Sequence, residues 1–187
     1  MEWRRRKQIA NLVDGILECN VLNRPPIELI CEIMKKRGIK FEELDEDDDE
    51  FCGVYIVIGN TKVIFVNANL YEPCKNFTIA HELGHHFLGH SLTDGAIICD
   101  KSALDAGNKG RPEREKEADY FAGYFLMPKK LIFKKKKEFE ENLDQQIRLF
   151  MTIKVHESNH ELIEYLCGFF KVFKEAMTIR LNELKLV

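Results

Sequence analysis

The chain has 187 residues, 45% of them hydrophobic and 32% charged, and a formal net charge of −3. That is enough chain for one buried core, and the charge balance excludes a strongly basic nucleic-acid binder as a class. Six cysteines (Cys19, Cys31, Cys52, Cys74, Cys99, Cys167) never form a C-x-x-C pair, which predicts reduced thiols in a cytoplasmic protein rather than a disulfide framework. No apolar run reaches transmembrane length. The early WRRRK leads into QIANLVDGILECN, where Asn11, Asp14 and Glu18 exclude a signal-peptide core.

In chain order, Ile9, Leu12, Val13, Ile16 and Leu17 recur at i, i+3, i+4, i+7 and i+8, the stripe of an amphipathic helix. A second helix is expected after Pro25 and Pro26. Ile27, Ile30, Ile33 and Met34 form its apolar face, Lys35, Lys36 and Arg37 suit its C-terminal dipole, and Gly38 stops it. The acidic run ELDEDDDE, residues 43–50, reads as a solvated loop. It mimics a calcium loop at Asp45, Asp47 and Asp49, but Glu50 stands where the turn needs glycine and Ile56 where it needs a bidentate glutamate. VYIVI and KVIFVN around Gly59-Asn60 predict a β-hairpin with a type II′ turn. Helical patterns dominate from Phe77 onward. Helices, hairpin, then helices, without βαβ alternation or repeats, predict an α+β fold. The expected organisation is a main domain over residues 1–128 and a helical segment over 129–187 packed on it.

TIAHELGHHFLGH, residues 78–90, holds four histidines and one glutamate. On a helix, i and i+4 share a face, so His81 and His85 can converge on one cation with Glu82 beside the open position. The flanking Thr78, Ile79, Ala80, Leu83, Gly84, Phe87 and Leu88 are uncharged, as a buried helix requires. Gly84 costs about 1 kcal/mol mid-helix, which predicts a close backbone approach there. A second HExxH, HESNH at residues 156–160, lacks this frame. Lys154 and Glu161 are charged, and Ser158-x-x-Glu161 reads as a capping box that leaves His156 and Glu157 before the helix.

A catalytic zinc takes three protein ligands plus water. The metzincin third histidine would fall at Ser91, so that pattern fails. His90 is displaced by one residue and His86 points about 100° away around the helix, so neither is expected as a ligand. The better donor lies in PEREKEADYFAGYFLMP, a helix with a buried stripe at Ala118, Phe121, Ala122 and Phe125 that Pro128 ends. Glu115 falls about 60° from the centre of that stripe, and Glu117 about 100° away on the opposite flank. Glu115 is the choice for third ligand, with Glu113 and Glu117 as alternatives. Asp119, on the same side as Glu115, can orient a histidine.

These residues carry a resemblance. FTIAHELGHHFLGH followed by EKEADYFAGYFLMP is similar to the ImmA/IrrE family of zinc-dependent metallopeptidases, with its HELGH helix, its later E-x-E-A-[ND]-x-F-A helix and a terminating L-x-P. PPIELICEIMKKRGI and the hairpin fit as well. FFKVFKEAMTIRLNEL resembles the family's C-terminal helices, although Phe173 stands at the usual serine, which departs from the expected helix cap. The resemblance implies a zinc-dependent endopeptidase of the gluzincin type, with His81, His85 and Glu115 as ligands and Glu82 as base. It also implies a helix-turn-helix repressor as partner, in settings such as mobile elements. Membrane and direct nucleic-acid partners are not expected. In this reading zinc activates water, Glu82 takes its proton, and the hairpin offers an edge strand to the substrate. The ligand set suits zinc without excluding manganese.

A second function stays open: a non-catalytic regulatory module binding a repressor or a toxin/antitoxin partner, with zinc in a structural role. Further along, the basic segment KKLIFKKKK, residues 129–137, reads as a solvated face, with docking of an acidic partner as its alternative. Tyr120 and Tyr124 are candidates for packing first and for oxyanion stabilisation second. Phe150, Leu162, Leu166, Phe169 and Phe170 are expected in the core.

Overall fold

The computed structural model describes residues 1–17, 24–48, 50–92, 95–100, 110–149 and 158–187. The first apolar stripe forms helix α1 (Trp3–Leu17), burying Ile9, Val13 and Leu17. Pro25, extended because another proline follows it, leads into a 3-10 turn (Pro26–Leu29). The turn runs directly into α2 (Ile30–Lys36), and Gly38 follows at φ 65. Ile30 and Met34 bury the face that the spacing predicts.

The chain then enters an unpredicted strand, β1 (Ile39–Leu44). Glu43 and Leu44 therefore belong to a strand, and the acidic loop is shorter than expected. Only Ile39 is buried in β1, so its alternation is faint in the sequence. Strands β2 (Phe51–Ile58) and β3 (Thr61–Asn67) form the expected hairpin, with Ile58 opposite Thr61. Gly59 has φ 58 while Asn60 does not have positive φ, the signature of a type II′ turn. A fourth strand, β4 (Ala96–Asp100), also unpredicted from the sequence, pairs antiparallel with β2 within the largely helical stretch after Phe77. The sheet order is β1-β3-β2-β4, with β1 parallel to β3. Both hairpin strands are thus interior, so the hairpin has no free edge to offer a substrate. Among the described residues the sheet's outer strands are β1 and β4.

Helix α3 (Glu72–Leu88) packs on β2 and β3 and against α4 (Glu113–Leu126). Two glycines set the spacing. A Cβ at Gly53 on β2 would meet the Thr78 methyl of α3 at 2.7 Å and the Phe65 carbonyl oxygen at 2.9 Å. A Cβ at Gly84 would meet the Phe121 ring and Cβ at 3.1–3.2 Å, so an aromatic side chain, not a backbone, approaches there. Phe121 stacks between Phe87 and Phe125, with centroids 5.8 and 5.9 Å away.

Helices α5 (Lys129–Leu149), α6 (Ser158–Phe170) and α7 (Lys174–Glu183) follow. They send Leu131, Ile132, Leu162, Leu166, Phe170, Met177 and Leu181 into the core that also holds Ile9, Ile64, Leu83 and Phe125. Phe169 is half-buried at its margin, and Phe150 lies outside the described residues. Helix α6 begins at Ser158, the residue read from sequence as its cap, while His156 and Glu157 lie outside the described residues. Phe173 precedes α7 without a side-chain cap bond and packs edge-on against Phe77 at 5.3 Å instead. The architecture is α+β, mostly helical, with a small mixed sheet. Among the described residues no helix is long and apolar enough to cross a membrane.

Candidate metal centre

Every residue of α3 from Asn76 to His85 is buried, because the sheet covers one side and α4 the other. Most of that stretch is apolar or small. His81, Glu82 and His85 are the ionisable exceptions, each with no exposed surface. Buried charge needs partners, and α4 supplies them.

His81 Nε2 lies 3.0 Å from His85 Nε2 and 3.2 Å from Glu115 Oε2, and His85 Nε2 lies 3.4 Å from the same oxygen. Three ligand-capable atoms from two helices thus crowd one point. The set can hold a metal ion.

Around it the donors are oriented. His81 Nδ1–H donates to Asp119 Oδ1 at 2.9 Å, which turns its Nε2 toward the centre. Asp119 is itself held by Arg111, 2.6 Å from its other oxygen. Arg114 Nε donates to Glu115 Oε1 at 3.0 Å, so Glu115 presents the remaining oxygen to the histidines. His85 Nδ1 is 2.8 Å from His90 Nδ1, and His90 Nε2 is 3.1 Å from Glu117 Oε2. His86 points elsewhere and meets the Tyr55 hydroxyl at 2.9 Å.

Charge states follow from these contacts. Burial alone would lower His81, but its bonds to Asp119 and Glu115 and the nearby Glu82 charge reverse that and raise it to about 9. His85, buried and beside His81, is lowered to about 4. Glu115 is held well below the usual carboxylate range: its burial is outweighed by the hydrogen bond from His81 and by the closeness of both histidines. Burial raises Glu82 to about 8, with Glu115 repelling its charge and His81 opposing the rise. Both Glu82 oxygens are buried and make no hydrogen bond of ordinary geometry, the Tyr55 backbone N–H and the Cys99 thiol being the donors near enough to oppose the rise. The Cys99 thiol on β4 lies beside it, within 4.8 Å of the ligand-capable atoms of His81 and Glu82, and burial pushes that thiol well up.

Of the residues singled out from sequence, the structure brings together His81, Glu82, His85, Glu115 and Asp119. It separates the two alternatives from the cluster. Glu113 is exposed and pairs with Lys116 and the Met1 amino group, while Glu117 takes Arg5 and His90. Tyr120 and Tyr124 line a cavity of about 950 Å³ between α1, α4 and α7, under Arg6 and Arg180 respectively. In the basic segment Lys135, Lys136 and Lys137 pair with Glu138, Glu140 and Glu141 on the same helix, which fits a solvated face. Sequence reasoning missed Arg111, Arg114, Cys99 and the His90–Glu117–Arg5 contacts. The nearest signal was the second G-H, Gly89-His90, one turn past HELGH.

Comparison with known proteins agrees with this geometry. No curated protein matches the chain. A solved structure titled Mycobacterium tuberculosis transcriptional regulator is 19% identical, with a TM-score of 0.55 over 96% of this chain and 49% of that one. This chain therefore spans about half that regulator's length, and at such identity the likeness is one of fold. The family profile described as Peptidase_M78, IrrE N-terminal-like domain, matches residues 34–182, which include all of α3 and α4. A chain with this helix pair, this buried His-His-Glu cluster and that match belongs to the M78 peptidase family.

Proposed function

We propose that the chain is a zinc-dependent endopeptidase with His81, His85 and Glu115 as metal ligands and Glu82 as general base. The observation that carries this reading is the buried trio of possible ligands beside a wholly buried carboxylate, Glu82. Donors around zinc at the usual bond lengths stand about 3.3–3.4 Å apart in a tetrahedron. The distances of 3.0, 3.2 and 3.4 Å among the three atoms are close to that edge. The donor set also fits the ion's chemistry, two imidazoles and one carboxylate.

Bound zinc supplies Lewis acidity toward water and a peptide carbonyl. Glu82 takes a proton from the attacking water and returns it to the leaving nitrogen, a task its place beside the trio allows once the ion's charge favours its ionised form. Asp119 and Arg114 hold His81 and Glu115 in place during that transfer. An extended substrate segment can add to the sheet beside β4, the outer strand nearest Glu82, which replaces the hairpin in that role. The substrate class, a helix-turn-helix repressor or similar regulatory protein, comes from the family and not from the site.

Incubation with such a repressor, with and without chelator, tests the reading. New peptide ends that vanish with chelator support it. A stable complex without products would instead favour the binding module with structural zinc. A purely structural site has no use for Glu82 beside it.

A further inference from the structure

We propose that Arg5, Glu117 and His90 form a hydrogen-bonded relay that fixes His85 as an Nε2 ligand and so sets the affinity of the centre for its metal. The proposal rests on the metal-centre reading above and adds a positioning role for residues outside it. Its logic starts at the far end. Arg5 donates to both Glu117 oxygens, from Nε at 2.9 Å and from its terminal nitrogen at 2.6 Å. Such a two-point clamp fixes the carboxylate's plane. Glu117 is only 14% exposed and, as a carboxylate, can only accept.

His90 Nε2, 3.1 Å from Glu117 Oε2, must then carry a hydrogen. A neutral imidazole with its hydrogen on Nε2 has a lone pair on Nδ1. That nitrogen lies 2.8 Å from His85 Nδ1, so His85 must donate there. The His85 lone pair is left on Nε2, the atom that faces His81 and Glu115. In the opposite arrangement, with His85 hydrogen-bearing at Nε2 and His90 at Nδ1, a lone pair on His90 would face the Glu117 carboxylate. The clamp disfavours it.

Each histidine of the cluster is thus oriented by its own carboxylate on α4, His81 directly by Asp119 and His85 through His90 by Glu117. The relay's last member comes from α1, before residue 34, where the family match begins. This arm of the centre lies partly outside the family's shared segment.

The test is zinc affinity by competition with a chromogenic chelator, together with nitrogen-15 NMR of the histidine rings in the metal-free protein. His90→Phe is expected to weaken zinc by about 10–100-fold, the usual effect of removing such an outer partner. His90→Gln, whose side-chain oxygen can still accept from His85, should recover most of that loss. Glu117→Met should shift zinc affinity the same way and admit the Nε2–H form of His85 in the metal-free protein. Wild-type zinc binding with undiminished affinity in His90→Phe would overturn the relay. So would equal losses in the Phe and Gln variants, or a wild-type His85 hydrogen on Nε2. Failure of the wild type to take up zinc at all would sink the parent reading, and the relay with it.

Discussion

At the scale of single residues, Glu82 and His81 sit next to each other on α3 and yet face opposite problems. His81 is saturated with partners, while Glu82 has both oxygens buried with only weak donors near them. The first is what a ligand needs and the second what a base needs. Glu82→Gln should retain stoichiometric zinc while losing cleavage by at least about 100-fold, the lower range for a general base. Cleavage at the parental rate would reassign the base. His81→Ala should release the metal, read by elemental analysis after desalting. A pH dependence follows too. His81 keeps its proton up to about 9, and a metal must displace that proton from the same cluster. Zinc affinity should therefore fall as pH drops below about 9, by about tenfold or more per unit, and calorimetry in two buffers should show between one and two protons released near neutrality, from His81 and from Glu82 beside it. Affinity indifferent to pH would remove His81 from the ligand set.

At the scale of elements, legibility followed the strength of the periodic signal. The α3–α4 pair was readable because burial demands uncharged neighbours, and the three ionisable exceptions then stood out at helical spacing. Strands β1 and β4 were not. IKFEEL buries one residue, and AIICD is five residues long between segments without regular pattern. Missing β4 also misassigned the sheet's edge. Gly84 was flagged by its helix cost, but the cause lay in α4: Phe121, clamped between two rings, cannot step aside. Gly84→Ala gains about 1 kcal/mol of helix propensity and incurs about 1–3 kcal/mol of overpacking. A net loss of about 1 kcal/mol in denaturant unfolding is expected, and a gain would mean that Phe121 does move. Gly53→Ala should be worse, about 2–3 kcal/mol, since one of its neighbours is the Phe65 carbonyl, which cannot rotate away.

At the scale of the whole molecule, α1 joins the core and the site at once. Ile9 and Val13 are wholly buried, and Arg5 on the same helix clamps Glu117. The stripe was plain in the sequence, but nothing in it announces a contact across 112 residues. Long-range ion pairs leave no periodic trace, which is why the orienting residues were harder to read than the ligand candidates. Ile9→Ala should cost about 2–4 kcal/mol by chemical denaturation, and a loss under about 0.5 kcal/mol would deny α1 its place in the core.

Gly89 closes α3 in the left-handed conformation, at φ 66. That reversal folds the chain back over the last helical turn, so a histidine five positions after His85 comes to lie against it, where a continued helix would have carried it about 140° away. The tether between the two imidazoles is therefore fixed in length. One residue inserted between Leu88 and Gly89 would leave every letter of HELGH intact and still unlatch His85 from its guide.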